Sequence, residues 1–307
     1  MRALILLGLG CVAGCARQPD SVPAAPASAP SASAAAPAAS PSLPTPPGAK
    51  ACGELGCLLF DSTEAAFQFA IASNPRVLAI GEAHAQKGKE GVASSAKRFT
   101  ETLLPLMKGK SSDLLLELMM PNTKCQKRTE EAKKQQKVVT EKQAETNQNE
   151  YVKMGDKARS VGIVPDLLRP SCEDLGAIND AGADSIPTFL STIARLTRTQ
   201  AEKLLERNER SPADENKMIV TYGGVMHNDL QPSKVATDWS FGPQLSARVK
   251  GRYVELDMFV PEFIEDNETW RKLEWFAHYD RAAMSSKAVV FRPRPGSFVL
   301  IFPVSSP

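Results

Sequence analysis

The chain has 307 residues, 42% of them apolar or aromatic, and a formal net charge of +2. A charge this near zero gives no long-range pull toward nucleic acid or acidic lipid, so nucleic acid is not an expected partner. No phosphate loop, dinucleotide fingerprint, nucleophile elbow or His-Glu-x-x-His helix is present, which leaves those chemistries without support.

The N-terminus reads as an export signal: Arg2 supplies a charged start, residues 3–12 are apolar but too few to span a bilayer, and small residues follow. Val12-Ala13-Gly14-Cys15 resembles the lipobox of bacterial lipoproteins, which implies cleavage before Cys15 and acylation of that cysteine with palmitate-type chains. Several acyl chains anchor a protein firmly to a membrane. Ala16 resembles the outer-membrane-sorted pattern, so the expected location is the bacterial cell envelope, as an outer-membrane lipoprotein facing the periplasm or the surface. Residues 16–50 collapse to Ala, Pro and Ser, too poor in large apolar side chains to offset the entropy of ordering, and read as a disordered tether. Residues 51–307 have an ordinary mixture and the length for a single α/β domain.

Strand-like apolar runs recur at residues 77–80, 114–119, 162–168, 218–222 and 252–259, with helical spacing between them. That alternation predicts crossover units and a mainly parallel sheet with flanking helices. Asp61-Ser62-Thr63-Glu64 predicts a helix start ahead of the first strand, ended by Asn74-Pro75. Residues 93–107 have the spacing of a crossover helix. Residues 122–159 are long and polar, with apolar content too sparse for a core helix, and read as a solvated helical excursion able to act as a lid. Residues 186–207 and 268–283 predict further amphipathic helices, the latter anchored by Trp270, Trp275 and Phe276. The runs 288–291 and 297–302 predict a C-terminal antiparallel hairpin with its prolines confined to the turn.

Cys52, Cys57, Cys125 and Cys172 are an even set in an exported chain, and three pairings are possible. Cys52–Cys57 and Cys125–Cys172 are favoured, because the last two each follow a predicted strand and fall on one edge of a parallel sheet. A structural zinc site lacks the paired short cysteine spacing such sites show.

Two of the three histidines end apolar runs three residues after a glycine, in Gly81-Glu82-Ala83-His84 and Gly224-Val225-Met226-His227. Ligands bind at the carboxyl ends of parallel strands, where both would sit, and imidazole titrates near neutrality and ligates metals. Glu82 and His84 project to one side if the strand stays extended. Glu117 stands in the otherwise apolar Leu114-Leu115-Leu116-Glu117-Leu118-Met119, where a buried carboxylate needs a partner or an open edge. Glu82, His84, Glu117 and His227 suit a divalent metal (Mn, Co or Zn) or metal-free acid–base chemistry, and the sequence does not choose. Asp166 and Arg169 are positioned to orient the carboxylates or to pair with each other. His278 reads as a packing or surface residue.

These motifs together resemble the superfamily that joins the haem-uptake lipoproteins called ChaN, the erythromycin-esterase-like hydrolases and the Tiki/TraB metalloproteases, marked by two Gly-x-x-His motifs and paired glutamates on an α/β core. The Gly-Glu-x-His form is closer to the first two branches, and the proline of the Tiki form is absent, since Ala85-Gln86 follow His84. The resemblance implies a membrane-anchored hydrolase using Glu82, His84, Glu117 and His227 on a small-molecule or peptide ligand. The alternative is a lipoprotein that captures haem or another iron compound through Tyr222, His227 or nearby methionines, and a third reading is a fold that has lost its chemistry and serves envelope assembly.

Overall fold

The computed structural model describes residues 45–305. The export signal, the lipobox with Cys15, and residues 16–44 of the expected tether lie outside the described residues. Order begins before residue 51: the strand β1, Ala49–Ala51, pairs antiparallel with β2, Leu58–Phe60. Disulfides join Cys52 to Cys57 and Cys125 to Cys172, the pairings the sequence favours.

Nine strands form one mixed sheet in the order β1-β2-β8-β9-β7-β3-β6-β4-β5. The strands β3 (Val77–Glu82), β4 (Ser111–Met119), β5 (Val164–Leu168), β6 (Met218–Gly224) and β7 (Tyr253–Phe259) are parallel. The strands β8 (Ala288–Arg294) and β9 (Ser297–Ile301) make the expected antiparallel hairpin, and β9 runs parallel to β7. Parallel strands are covered on both faces and so read as continuous apolar runs; β3, buried at every position, is the clearest case.

Alternation divides each strand between two layers. Leu78, Ile80, Leu114, Leu116, Val220 and Tyr222 pack on one face, against α1 (Thr63–Ala70), the helical turns starting with α2 (Ser95–Arg98), and part of the polar excursion. Ser62 caps α1 by accepting from the Ala65 amide, as its sequence position predicts. The excursion comprises two helices, α3 (Gln126–Val139) and α4 (Asn147–Ser160). It is not wholly solvated, because Tyr151, Met154 and Ala158 form an i, i+3, i+7 stripe that α4 buries in the core. On the opposite face Ala79, Leu115 and Ile219 meet α5 (Cys172–Asp180), the long α6 (Ser185–Glu209) and α7 (Gly242–Arg248).

Two expectations need correction. Residues 268–283 form only short helical pieces, Glu268–Arg271, Phe276–His278 and Arg281–Met284, around the buried Trp270 and Trp275. Asp280 accepts from the amides of Ala282 and Ala283, which starts a new turn where a continuous helix would have to pass. Pro293 lies within β8 rather than in the hairpin turn, at a register shift between Phe291 and Arg294 where no ladder hydrogen bond is required of it. Among the described residues no helix is long and apolar enough to cross a membrane.

Candidate active site

β6 runs between β3 and β4, so three strand ends meet at one place on the carboxyl edge. Glu82 stands opposite Gly224, and Leu116 opposite Tyr222, which sets Glu117 beside Gly223. Glu82 follows Leu78 and Ile80 onto the face covered by α4, whereas Glu117 follows Leu115 onto the face covered by α6. The two carboxylates therefore approach from opposite faces of the sheet, with the main chain of Gly223-Gly224 between them.

On the α4 face, Glu82 is a hub of acceptors. Its Oε2 accepts from the Tyr222 hydroxyl at 2.7 Å, and its Oε1 accepts from the Tyr151 hydroxyl at 3.1 Å and from His84 Nδ1 at 2.9 Å. Burial, followed by the charge of Glu82, pushes both phenols well above their ordinary range, so they stay protonated as donors. With Nδ1 committed to Glu82, the free ring atom of His84 is Nε2. The His84 side chain remains 23% exposed.

On the α6 face, His227 Nδ1 lies 2.7 Å from the Trp239 carbonyl, an acceptor only, so Nδ1 carries hydrogen. Its Nε2 lies 3.5 Å from Glu117 Oε1, and Glu117 Oε2 accepts from the Gly224 amide at 2.7 Å.

The glycines explain why the halves can meet. A Cβ on Gly224 would lie 3.3 Å from His84 Nε2 and 3.9 Å from both Glu117 Oε2 and His227 Cδ2, so this one position touches three of the four groups. A Cβ on Gly223 would lie 2.8 Å from Glu117 Cβ and closer still to its Oε2. On Gly81 it would lie 2.7 Å from the Val225 Cα, because the turn leading to His227 crosses directly over β3. Gly223→Ala should cost about 1–3 kcal/mol of stability by overpacking and displace Glu117; thermal unfolding of the variant at wild-type stability would contradict this packing.

Burial alone acts to lower the pKa of His84, but the hydrogen bond and charge of Glu82 and the charge of Glu117 outweigh it, and the net direction is upward. The interaction therefore stabilises the fold fully below the unfolded imidazole value and is lost as pH rises through the folded value. In a ring-proton NMR titration the His84 midpoint should fall above 6.5, and a midpoint below it would reverse the sign.

The structure thus brings Glu82, His84, Glu117 and His227 together. Asp166 and Arg169 do not join them: they pair with each other at 3.3 Å, and Asp166 also accepts from Gln200. His278 lies 3.9 Å from Glu54, beside the Cys52–Cys57 loop. Tyr151 and the Trp239 carbonyl are site components that sequence reasoning missed.

The metal set and the haem ligands Tyr222 and His227 considered from the sequence do not fit those cofactors as placed. Among the described residues no three His, Cys, Asp or Glu side chains are arranged to hold a metal ion, and both oxygens of Glu82 are already engaged. Tyr222 is 1% exposed with its hydroxyl bound to Glu82, and His227 is 4% exposed with both ring nitrogens facing acceptors, so neither offers a haem iron an approach. No protein-family model, curated protein or solved structure matches the chain.

Proposed function

We propose that the chain is a membrane-anchored hydrolase of the bacterial cell envelope, related to the ChaN, erythromycin-esterase and Tiki/TraB superfamily and acting without a metal. The anchor is the acylated Cys15 of the lipobox. The observation that carries this reading is the unequal setting of two imidazoles that meet at Gly224: His84 bonded to Glu82 through Nδ1, and His227 bonded to the Trp239 carbonyl through Nδ1 with its Nε2 facing Glu117 at 3.5 Å.

That inequality suits hydrolysis of an ester or amide. His84 Nε2 takes a proton from water as the water oxygen bonds to the substrate carbonyl carbon. Glu82 holds the ring in the required tautomer and faces the imidazolium that forms, with Tyr151 and Tyr222 fixing the carboxylate in turn. When the bond to the leaving group breaks, the His227–Glu117 pair, entering the cycle with one proton, gives it to the departing oxygen or nitrogen. Water supplies the hydroxyl of the product acid, and the proton on His84 restores the pair through solvent.

A panel of ester and peptide substrates tests the reading, with His84→Ala as control. Hydrolysis should fall by about 10²–10⁴-fold in the variant, the usual contribution of a positioned base, and should persist in EDTA. Equal inertness of wild type and variant across the panel would overturn the reading. Turnover that appears only on adding Mn²⁺, Co²⁺ or Zn²⁺ would overturn its metal-free form.

A further inference from the structure

Behind Glu117 and His227, on the α6 face, lies a small recess bounded by Thr221 of β6, Thr197 of α6, Asn228 and Phe241. Two of its polar walls have no hydrogen-bond partner. Thr221 Oγ1 is unpaired on a residue 2% exposed, and Asn228 Oδ1 on a residue 1% exposed. The Asn228 amide has a fixed orientation, because Nδ2 donates to the Ala79 carbonyl at 3.1 Å and to Asp257 Oδ1 at 3.0 Å; flipping the group would forfeit both bonds. Ala79 is also the register partner of Thr221 across β3 and β6, so the amide that carries the second orphaned oxygen is tied to the strand position beside Thr221.

A buried polar oxygen without a partner costs about 1–3 kcal/mol, and native proteins seldom leave two such groups lining one recess. The recess encloses about 220 Å³ out to its open mouth, yet its interior has room for about one water molecule. A hydroxyl and an amide oxygen are neutral, and no cation cage is arranged among the described residues.

We infer that a single water molecule occupies this recess, which Glu117 and His227 also line, and bridges Thr221 and Asn228. The water donates to Asn228 Oδ1 and exchanges a hydrogen bond with Thr221 Oγ1. Thr221 is then a positioning residue, acting on the pair through this molecule. The site is independent of the hydrolase reading, since it is detected without turnover.

A high-resolution crystal structure of the wild-type protein should show a full-occupancy water at this position. Thr221→Ser, which keeps the hydroxyl, should retain it. Thr221→Val, close in shape but without the hydroxyl, should lose it and shift the His227 ring-proton resonances. A dry recess in the wild type, direct pairing of Thr221 with Asn228, density for a cation, or water that persists in Thr221→Val would each overturn the inference. If the valine variant does not fold, the wild-type and serine structures still decide whether the water is there.

Discussion

Glu82→Ala is expected to lower the unfolding free energy by about 3–5 kcal/mol and to abolish the proposed hydrolysis. The substitution removes the common acceptor of Tyr222, Tyr151 and His84. A buried donor left unsatisfied costs about 1–3 kcal/mol, so the two buried phenols account for most of the loss, and the cavity adds to it. His84, partly exposed, can turn to water and contributes less. The same logic supplies a control: in Glu82→Leu combined with Tyr151→Phe and Tyr222→Phe, no hydroxyls are left to orphan, and part of the stability should return without activity. Urea unfolding measures both. A Glu82→Ala protein within about 1 kcal/mol of wild type would show that the hub does not hold this edge of the sheet together.

The second large effect belongs to the Cys125–Cys172 disulfide, whose cysteines are 47 residues apart. Chain-entropy reasoning assigns a closed loop of that size about 4 kcal/mol, against about 2 kcal/mol for the Cys52–Cys57 loop, where the separation is 5. Replacing Cys125 and Cys172 together with serine should therefore cost roughly twice what opening the shorter loop costs. The enclosed segment carries α3, α4 and β5, and α4 delivers Tyr151 to Glu82. Amide exchange should accelerate through α3 and α4 in the double variant while β7 and β9 keep their protection. Unchanged exchange in α4 would mean that packing of Tyr151, Met154 and Ala158 holds the excursion without the crosslink.

The alternation of apolar runs and helical spacing was enough to read the parallel sheet, because a strand buried on both faces has little freedom in composition. Strand order was not readable, since nothing in β3 or β4 says that β6 will come between them. The four acid and imidazole groups were visible as residues out of keeping with apolar surroundings. Their division between faces follows from parity along each strand, but only once neighbours are known. Tyr151 was hidden by averaging: its stripe with Met154 and Ala158 is helical, yet Lys, Glu and Gln around it dominate residues 122–159. The Trp239 carbonyl that orients His227 is main chain, which carries no residue-type signal at all.

Convergence of the two dyads on a side-chain-free dipeptide has a steric corollary for the proposed reaction. Both imidazoles and Glu117 come within 4 Å of the position a Cβ would take on Gly224, so any side chain there would fill the space where a substrate of the proposed reaction has to meet them.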